Sequence, residues 1–201
     1  ACLLLYWKKK VYIRAVYLGW IIFPEIFRLG LPPALPYAKF SFMQDTILTQ
    51  RLELQPLSDA HTAFMFDLLN SPGWIANIGD RNINTIEQAS QYIQKINSTD
   101  HAYVWVVSMG GTSIGIITLL KKIHLPYPDL GFAFLERFGG QGYAYEAAEA
   151  VQKHAFTRFG ILCAVTIASN LRSQKLLGKL GFQPAGIIDD NGETLLLFTC
   201  P

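Results

Sequence analysis

The chain has 201 residues, of which 51% are hydrophobic and 16% charged, as expected for a globular protein with one domain of ordinary size and its own core. The formal net charge is +2, but six Lys or Arg and one acidic residue lie in residues 1–42, which leaves 11 basic and 14 acidic residues in 43–201. The larger part is therefore weakly acidic, which argues against a nucleic-acid surface.

Residues 1–42 are apolar and aromatic but are interrupted by charges, and the uncharged run around Tyr17 to Trp20, from Ala15 to Pro24, is about half of the roughly 20 apolar residues that span a bilayer. A secretory signal is the weaker alternative, because no small-residue cleavage pattern follows cleanly. Met43 opens a segment, MQDTILTQRLELQPL, with the pattern of a natural start. We therefore predict that residues 1–42 are an N-terminal extension and that residues 43–201 form the functional domain. The alternative is a membrane-anchored protein that uses the extension.

The three cysteines, Cys2, Cys163 and Cys200, are an odd number without a CxxC motif and without histidines at metal-ligand spacing. They indicate neither a disulfide framework nor a zinc site. We expect a reducing, cytoplasmic compartment and no metal. Because Cys163 falls in a strand predicted to be buried, we interpret it as a small apolar core residue.

The first predicted elements after Met43 are one strand and two helices. Alternation over residues 51–57 predicts the strand, and Ser58 is a suitable cap for the helix that follows. The apolar face of this helix is predicted to hold Ala60, Phe64, Leu68 and Leu69. Residues 71–73, SPG, are predicted to be a loop that ends it. Residues 85–88 match a capping box, which predicts a second helix through Ile96.

Three β-rich runs come next. Residues 101–108 and 113–120 are predicted strands joined at MGGT, a hairpin signal, and residues 129–135 are a third. The remaining predicted elements are a helix over 143–159 closed by Gly160, a buried strand over 161–168, a helix over 170–180 ended by Gly181, and strands over 182–188 and 194–199 that flank a turn at 189–192. This order indicates an α/β or α+β domain with a mixed sheet.

Residues 136–147, ERFGGQGYAYEA, place three glycines in four positions just before a predicted helix. Glycine allows positive φ and close approach of a ligand, and the N–H groups and dipole of a helix N-terminus favour phosphate. The sequence has no GxxxxGK[ST] motif, and the spacing is not GxGxxG, so neither a P-loop nor a Rossmann loop is indicated. A diphosphate held by the main chain without a metal is the prediction that remains. The alternative is a tight strand-to-helix turn without a ligand.

A glycine motif and three longer segments resemble the corresponding parts of one family, and they follow one another in this chain in the same order as in that family. Arg137, Gly140 and Gly142 carry an Arg-x-x-Gly-x-Gly pattern, and GQGYAYEA resembles the pyrophosphate-binding signature of the GNAT superfamily of N-acetyltransferases. TQRLELQPLSDAHTAFMFDLL, DLGFAFLERFGGQGYAYEA and NLRSQKLLGKLGFQPAG resemble the first strand and helix, the central strand with its acetyl-CoA loop, and the late Asn-x-x-Ser helix. The similarity is greatest to the branch that includes the ribosomal-protein N-terminal acetyltransferases, and it covers roughly residues 49–199.

The resemblance implies a mixed, mostly antiparallel central sheet of about seven strands flanked by about four helices. Acetyl-CoA would lie between two central strands, 129–135 and 161–168, that splay apart. Main-chain groups of the first of these strands would hold the pantetheine arm, and the segment after it would hold the pyrophosphate. The implied cofactor-binding residues are Phe132, Ala133, Phe134, Leu135, Arg137, Phe138, Gly139, Gly140, Gln141, Gly142, Tyr143, Ala144, Asn170 and Ser173.

The resemblance also implies direct attack of an amine on the thioester, without a covalent enzyme intermediate. Many members place a Tyr proton donor where this chain has Leu177, which excludes that donor. We predict that Ser173 positions or protonates the CoA sulfur, the alternative being a helix-surface serine. Glu136 is a candidate base, with a solvated strand-end charge or loss of the proton through water as alternatives. We interpret His124 and Asp129 as surface residues.

The acceptor pocket is expected between the first two helices, the 69–84 connection and the last hairpin. Trp74, Asp80 and Arg81 are its predicted lining, although Trp74 is also a candidate core residue. We expect the acceptor to be a primary amine of a small molecule or of a protein N-terminus, and we expect no membrane partner. We expect a monomer or a homodimer. The alternative function is a non-catalytic acyl-CoA-binding sensor of the same fold.

Overall fold

Eight strands form one mixed sheet in the computed structural model, which describes residues 45–190 and 192–201. The strands are β1 (Ile47–Leu48), β2 (Glu53–Pro56), β3 (Ala102–Met109), β4 (Thr112–Leu120), β5 (Asp129–Phe134), β6 (Leu162–Thr166), β7 (Gln183–Asp190) and β8 (Glu193–Cys200). Their order across the sheet is β1-β2-β3-β4-β5-β6-β8-β7. Every neighbouring pair is antiparallel except β5 and β6, which are parallel.

Five α-helices cover the sheet within the same two ranges. They are α1 (Thr62–Leu69), α2 (Pro72–Ile78), α3 (Ile86–Asn97), α4 (Tyr143–Phe159) and α5 (Leu171–Lys179). None of these helices is long and apolar enough to cross a bilayer. The predicted extension 1–42, Cys2, Met43 and the turn residue Asn191 lie outside the described residues. The division of the chain at residue 43 therefore stays a prediction.

The predicted fold class is confirmed, with one strand and one helix more than expected. The additional strand, β1, has only two residues, too few to show a periodicity, and pairs Ile47 with Leu54 of β2. The additional helix, α2, begins inside the segment predicted to be a loop, so that prediction was wrong. Ser71 caps α2 by accepting a hydrogen bond from the Trp74 N–H at 3.4 Å, and Pro72 fits the first helical position because it needs no acceptor for an N–H group.

The start of the first predicted helix also differs. Ser58 precedes a single 3-10 turn, Asp59–His61, and α1 begins only after it. Ala60 is therefore exposed rather than on the buried face, because the tighter turn shifts the residues that follow. Leu68 and Leu69 are buried as predicted, together with Met65.

The helices pack on both faces of the sheet. One face, with Leu130 and Ala164, packs against α4 and α5. The other, with Val106 and Ile116, packs against α1, α2 and α3. Because both faces are covered, strands β3 to β6 are mostly buried, and any ligand must enter through an edge or a gap in the sheet.

Such a gap lies between β5 and β6. Strand β5 pairs with β4 at six positions, and β6 pairs with β8 at five. Between them, β5 and β6 share a single paired position, Asp129 with Cys163. The strands therefore diverge after their first residues, which confirms the predicted splayed pair. Backbone groups that line such a gap need other hydrogen-bond partners, and a bound ligand can supply them.

Candidate active site

The glycine-rich loop connects β5 to α4. A 3-10 turn, Glu136–Phe138, ends at Gly139, and Gly140 and Gly142 then adopt φ values of +76° and +82°. Gly142 is the N-cap of α4, a helix of 17 residues. L-residues with a side chain rarely adopt such φ values, so glycine is strongly favoured at both positions. The N–H groups of the first helical turn have no acceptor within the helix, no side chain caps them, and they lie at the positive end of the helix dipole.

The loop is held from outside by the β1–β2 turn. The Arg51 side chain donates from Nε to Glu146 Oε2 at 2.7 Å and from Nη1 to the carbonyl oxygen of Gln141 at 3.1 Å. The Arg51 guanidinium also lies 4.6 Å from the centre of the Tyr143 ring. Glu146 Oε1 accepts from Thr49 Oγ1 at 2.6 Å and from the Arg51 N–H at 2.9 Å. Sequence reasoning missed these contacts, because Arg51 and Glu146 are far apart along the chain.

The predicted cofactor-binding residues lie along one path from the gap to the helix. Phe132, Ala133 and Phe134 are half-buried on β5, and Leu135 is buried at its end. The loop beyond it carries exposed side chains, and binding of a ligand by its main chain stays a prediction. Arg137 is exposed, with its guanidinium 5.0 Å from the centre of the Phe138 ring, and the side chain of Gln141 is likewise exposed.

The start of α5 carries the predicted Asn-x-x-Ser pair. Asn170 is the N-cap, and its Oδ1 accepts a hydrogen bond from the Ser173 N–H at 3.0 Å. Ser173 is only 3% exposed, and its Oγ is buried without a hydrogen-bond partner. The helix-surface alternative for Ser173 is therefore wrong. A buried hydroxyl without a partner is costly and calls for one supplied by water or by a ligand.

A second hydroxyl, which sequence reasoning missed, lies at the end of β6, the strand against which α5 packs. Thr166 ends β6, is fully buried, and its Oγ1 also has no partner. Side chains alternate along a strand, so Thr166 lies on the same face as Ala164, the face that packs against α5. The only sequence signal was a polar residue at the end of a buried strand.

A family model described as an acetyltransferase (GNAT) domain matches residues 51–183. The chain belongs to the GNAT acetyltransferase family. It is an acyltransferase, and the resemblance seen in its motifs is confirmed. The matched region contains the gap, the glycine loop and the Asn170–Ser173 pair.

Several known proteins are similar to this GNAT chain. It is 25% identical over 150 residues to an uncharacterized N-acetyltransferase, YoaA, of Bacillus subtilis (strain 168), and covers 84% of that protein with 70% of its own length. It is 26% identical over 152 residues to the FsC-acetyl coenzyme A-N(2)-transacetylase of Aspergillus fumigatus, covering 65% of it with 69% of its own length. RimL, a ribosomal-protein α-N-acetyltransferase solved in complex with coenzyme A, has the same fold at a TM-score of 0.68 and 15% identity, over 77% of this chain and 97% of RimL.

The acid–base candidates of this acetyltransferase lie in different surroundings. Glu136 is exposed, and a β-carbon at Gly73 would lie 3.0 Å from its Oε1, so the carboxylate lies beside the start of α2. Asp129 is 2% exposed and forms an ion pair with Lys122 at 2.8 Å. The surface interpretation of Asp129 was wrong, because pairing with β6 buries the first residue of β5. His124 is exposed and lies 3.5 Å from Asp190 Oδ2.

The residues predicted to line the acceptor pocket lie on and after α2. Trp74 is 2% exposed and packs into the core formed with α1 and α3, but its indole N–H is buried without a partner. Asp80 is exposed and accepts a hydrogen bond from the Asn82 N–H at 2.7 Å. Arg81 is half-buried and donates from Nη2 to the Ile78 carbonyl at 2.9 Å. Their contact with an acceptor stays a prediction.

The two cysteines in the described ranges are free and buried. Burial and the nearby negative charge of Asp129 raise the pKa of the Cys163 thiol to about 12, and its Sγ lies 3.0 Å from the Tyr127 carbonyl oxygen. Burial also raises the pKa of Cys200. No group of three His, Cys, Asp or Glu side chains in residues 45–190 and 192–201 is placed to hold a metal ion.

These pKa shifts predict that both thiols react slowly with alkylating reagents in the folded enzyme. Only the thiolate reacts with alkylating reagents, and a raised pKa lowers its fraction, for Cys163 by about a thousandfold at pH 8. Iodoacetamide labelling followed by peptide mass spectrometry should modify neither Cys163 nor Cys200 under native conditions and both in guanidinium chloride. Native labelling of Cys163 at the rate of an unfolded peptide would contradict the buried placement.

Asn170 is expected to contribute both to stability and to donor binding. Asn170→Ala removes the acceptor of the Ser173 N–H and should lower the free energy of unfolding by about 1 kcal/mol, as measured by urea denaturation. Asn170→Ser is the matched control, because serine caps helices nearly as well. We expect it to restore stability but not the affinity for acetyl-CoA. Full recovery of both would mean that Asn170 acts only as a cap.

Proposed function

We propose that this GNAT enzyme transfers the acetyl group of acetyl-CoA directly to a primary amine, either of a small molecule or of a protein N-terminus. The observation that carries the proposal is the gap between β5 and β6, together with the glycine loop that leads from the end of β5 to the N-terminus of α4, which has no side-chain cap. A diphosphate joined to a long, narrow arm fits this arrangement, with its anionic part at the helix N-terminus and its arm between the strands.

The residues present fit such a donor on their own chemistry. The positive-φ glycines allow a close approach to the main chain, and nothing lies within 4 Å of a β-carbon built at Gly140. On the β6 side of the gap, the hydroxyls of Thr166 on β6 and Ser173 on α5 are buried without partners. A thioester would bring a sulfur and a carbonyl oxygen, both of which accept hydrogen bonds.

The reaction requires a bond from the amine nitrogen to the acyl carbon, cleavage of the C–S bond, loss of a proton from nitrogen and gain of a proton by sulfur. We assign Ser173 Oγ to the sulfur, where its hydrogen bond stabilises the developing thiolate. Unpaired N–H groups of β5 would stabilise the developing oxyanion. Glu136, the predicted base, would accept the amine proton either directly or through water.

A non-catalytic acyl-CoA sensor is the second candidate. It is favoured by Leu177, which is 1% exposed in the core where many members carry the tyrosine donor, and by the absence of a carboxylate from β6. The names of the two relatives favour the enzyme instead of the sensor, because they describe acetyl transfer to amines. The acceptor identity, the oligomeric state and the cytoplasmic location stay predictions.

The deciding experiment measures thiol release from acetyl-CoA against three acceptor panels: peptides with free N-termini, amino sugars and polyamines. Calorimetry with acetyl-CoA is run on the same preparation, and reactions without acceptor correct for hydrolysis. Acceptor-dependent thiol release supports the enzyme, and the panel that responds names its substrate class. Tight binding without release on any panel supports the sensor. Absence of acetyl-CoA binding would reject both.

A further inference from the structure

We infer that Arg51 is a positioning residue for the donor: it neutralises Glu146, the carboxylate in the first turn of α4, and so allows a diphosphate to bind at that helix end. The inference rests on the proposed function, because it concerns the same loop. It adds a residue that lies outside the Arg-x-x-Gly-x-Gly motif and is contributed by the distant β1–β2 turn.

The carboxylate of Glu146 is otherwise badly placed for an anion-binding helix end. Glu146 is the fourth residue of α4, and its N–H donates to the Gly142 carbonyl at 3.0 Å, so it lies within one turn of the glycine loop. Partial burial raises the pKa of Glu146, but hydrogen bonds from Thr49 and Arg51 and the charge of Arg51 outweigh this effect and leave the pKa below its ordinary value. Glu146 is therefore ionised at neutral pH. An uncompensated negative charge there would repel a diphosphate.

Arg51 compensates this charge at the point where repulsion would be greatest. Its Nε is 2.7 Å from Glu146 Oε2, and the Glu146 side chain is only 18% exposed, so solvent screens the pair weakly on that side. The Arg51 side chain is 43% exposed and extends over the loop, and its Nη2 would lie 3.5 Å from a β-carbon at Gly142. The positive charge therefore lies between the carboxylate and the loop.

The same side chain also orders the loop. A segment with three glycines has many accessible backbone conformations unless other contacts restrict it, and ordering it during binding would reduce affinity. The Arg51 hydrogen bond to the Gln141 carbonyl and its packing over Tyr143 hold the middle and the end of the loop. Tyr143 in turn donates from Oη to Gln141 Oε1 at 3.2 Å.

The test compares the acetyl-CoA affinity of variants that change the charge of Arg51 or of Glu146. Arg51→Ala should raise the dissociation constant for acetyl-CoA about 30-fold, because it removes the cation that neutralises Glu146 and leaves the negative charge beside the diphosphate. Arg51→Lys, which keeps the charge, should stay within about threefold of the wild type, and the double variant Arg51→Ala, Glu146→Gln should recover most of the loss. Lys153→Ala is the matched control, because it breaks a 2.8 Å ion pair with Glu149 on the same helix but farther from the loop.

Two further readouts separate positioning from a general structural role. Arg51→Ala should raise KM for acetyl-CoA without lowering kcat at saturation, and it should leave kcat/KM for S-acetylpantetheine, which lacks the diphosphate, unchanged. Thermal unfolding checks that each variant is folded, and Arg51→Gln replaces Arg51→Ala if the latter does not fold.

Several outcomes would overturn the inference. Wild-type affinity in Arg51→Ala, an equal loss with S-acetylpantetheine, or a double variant no better than Arg51→Ala would each do so while leaving the proposed function intact. A wild-type chain that does not bind acetyl-CoA would instead overturn the proposed function, and this inference with it.

Discussion

Gly142→Glu is expected to raise the dissociation constant for acetyl-CoA at least about a hundredfold. Gly142 has a φ of +82°, where a side chain on an L-residue costs about 1–2 kcal/mol. The new side chain would lie beside the main-chain groups proposed to hold the diphosphate, and its carboxylate would place a second negative charge at the end of α4. Isothermal titration calorimetry with acetyl-CoA measures the effect.

Gly111→Glu provides a matched control on the same chain. Gly111, in the β3–β4 hairpin, has a φ of +79° and nothing within 4 Å of a β-carbon. The two substitutions therefore introduce the same charge and a similar backbone strain, but only one lies at the proposed site. We expect comparable losses in melting temperature and a loss of binding only in Gly142→Glu. Equal weakening of acetyl-CoA binding would show that the glycine acts through stability alone.

The elements that sequence reasoning placed well are those with local signals. Helix α4 was predicted over residues 143–159 and spans Tyr143–Phe159, because the glycines at its two ends have positive φ and stop the helix sharply. Helix α3 begins at the predicted capping box, in which Thr85 and Gln88 exchange hydrogen bonds. In both cases the information lies within a few residues of the boundary.

What sequence reasoning missed depends on contacts between distant segments or on ambiguous signals. The Ser-Pro pair at Ser71 and Pro72 is compatible with a loop as well as with a helix start. Packing of Trp74 against α1 and α3 stabilises the helix. Asp129 is buried because Lys122 and Cys163 lie next to it, which no local pattern indicates. The composition of the glycine loop was visible in the sequence, but its attachment to Arg51 was not.

Ser173 shows the same difference between local sequence signals and packing of distant segments. The Asn-x-x-Ser spacing predicted a capped helix, and Asn170 caps it. The burial of the hydroxyl arises from the packing of α5 on β6, which the spacing alone does not determine. The structure thus excludes a surface serine and shows that the catalytic candidate is a buried hydroxyl without a hydrogen-bond partner.

Ser173→Ala is expected to lower kcat about a hundredfold while changing the dissociation constant for acetyl-CoA by less than about threefold. A proton donor contributes to the transition state, where charge develops on sulfur, more than to the ground state, where the thioester sulfur is a weak acceptor. Stopped-flow or steady-state thiol release gives kcat, and calorimetry gives the affinity.

The melting temperature of Ser173→Ala distinguishes a role in proton transfer from a structural role. Because Ser173 Oγ has no hydrogen-bond partner among the described residues, its removal breaks no bond and should leave the melting temperature unchanged or slightly raised. Ser169→Ala, an exposed serine just before the helix, should change neither kcat nor stability. A fall in melting temperature that accounts for the lost activity, or a loss of affinity without a loss of kcat, would remove Ser173 from the proton-transfer step and favour water as the donor to sulfur.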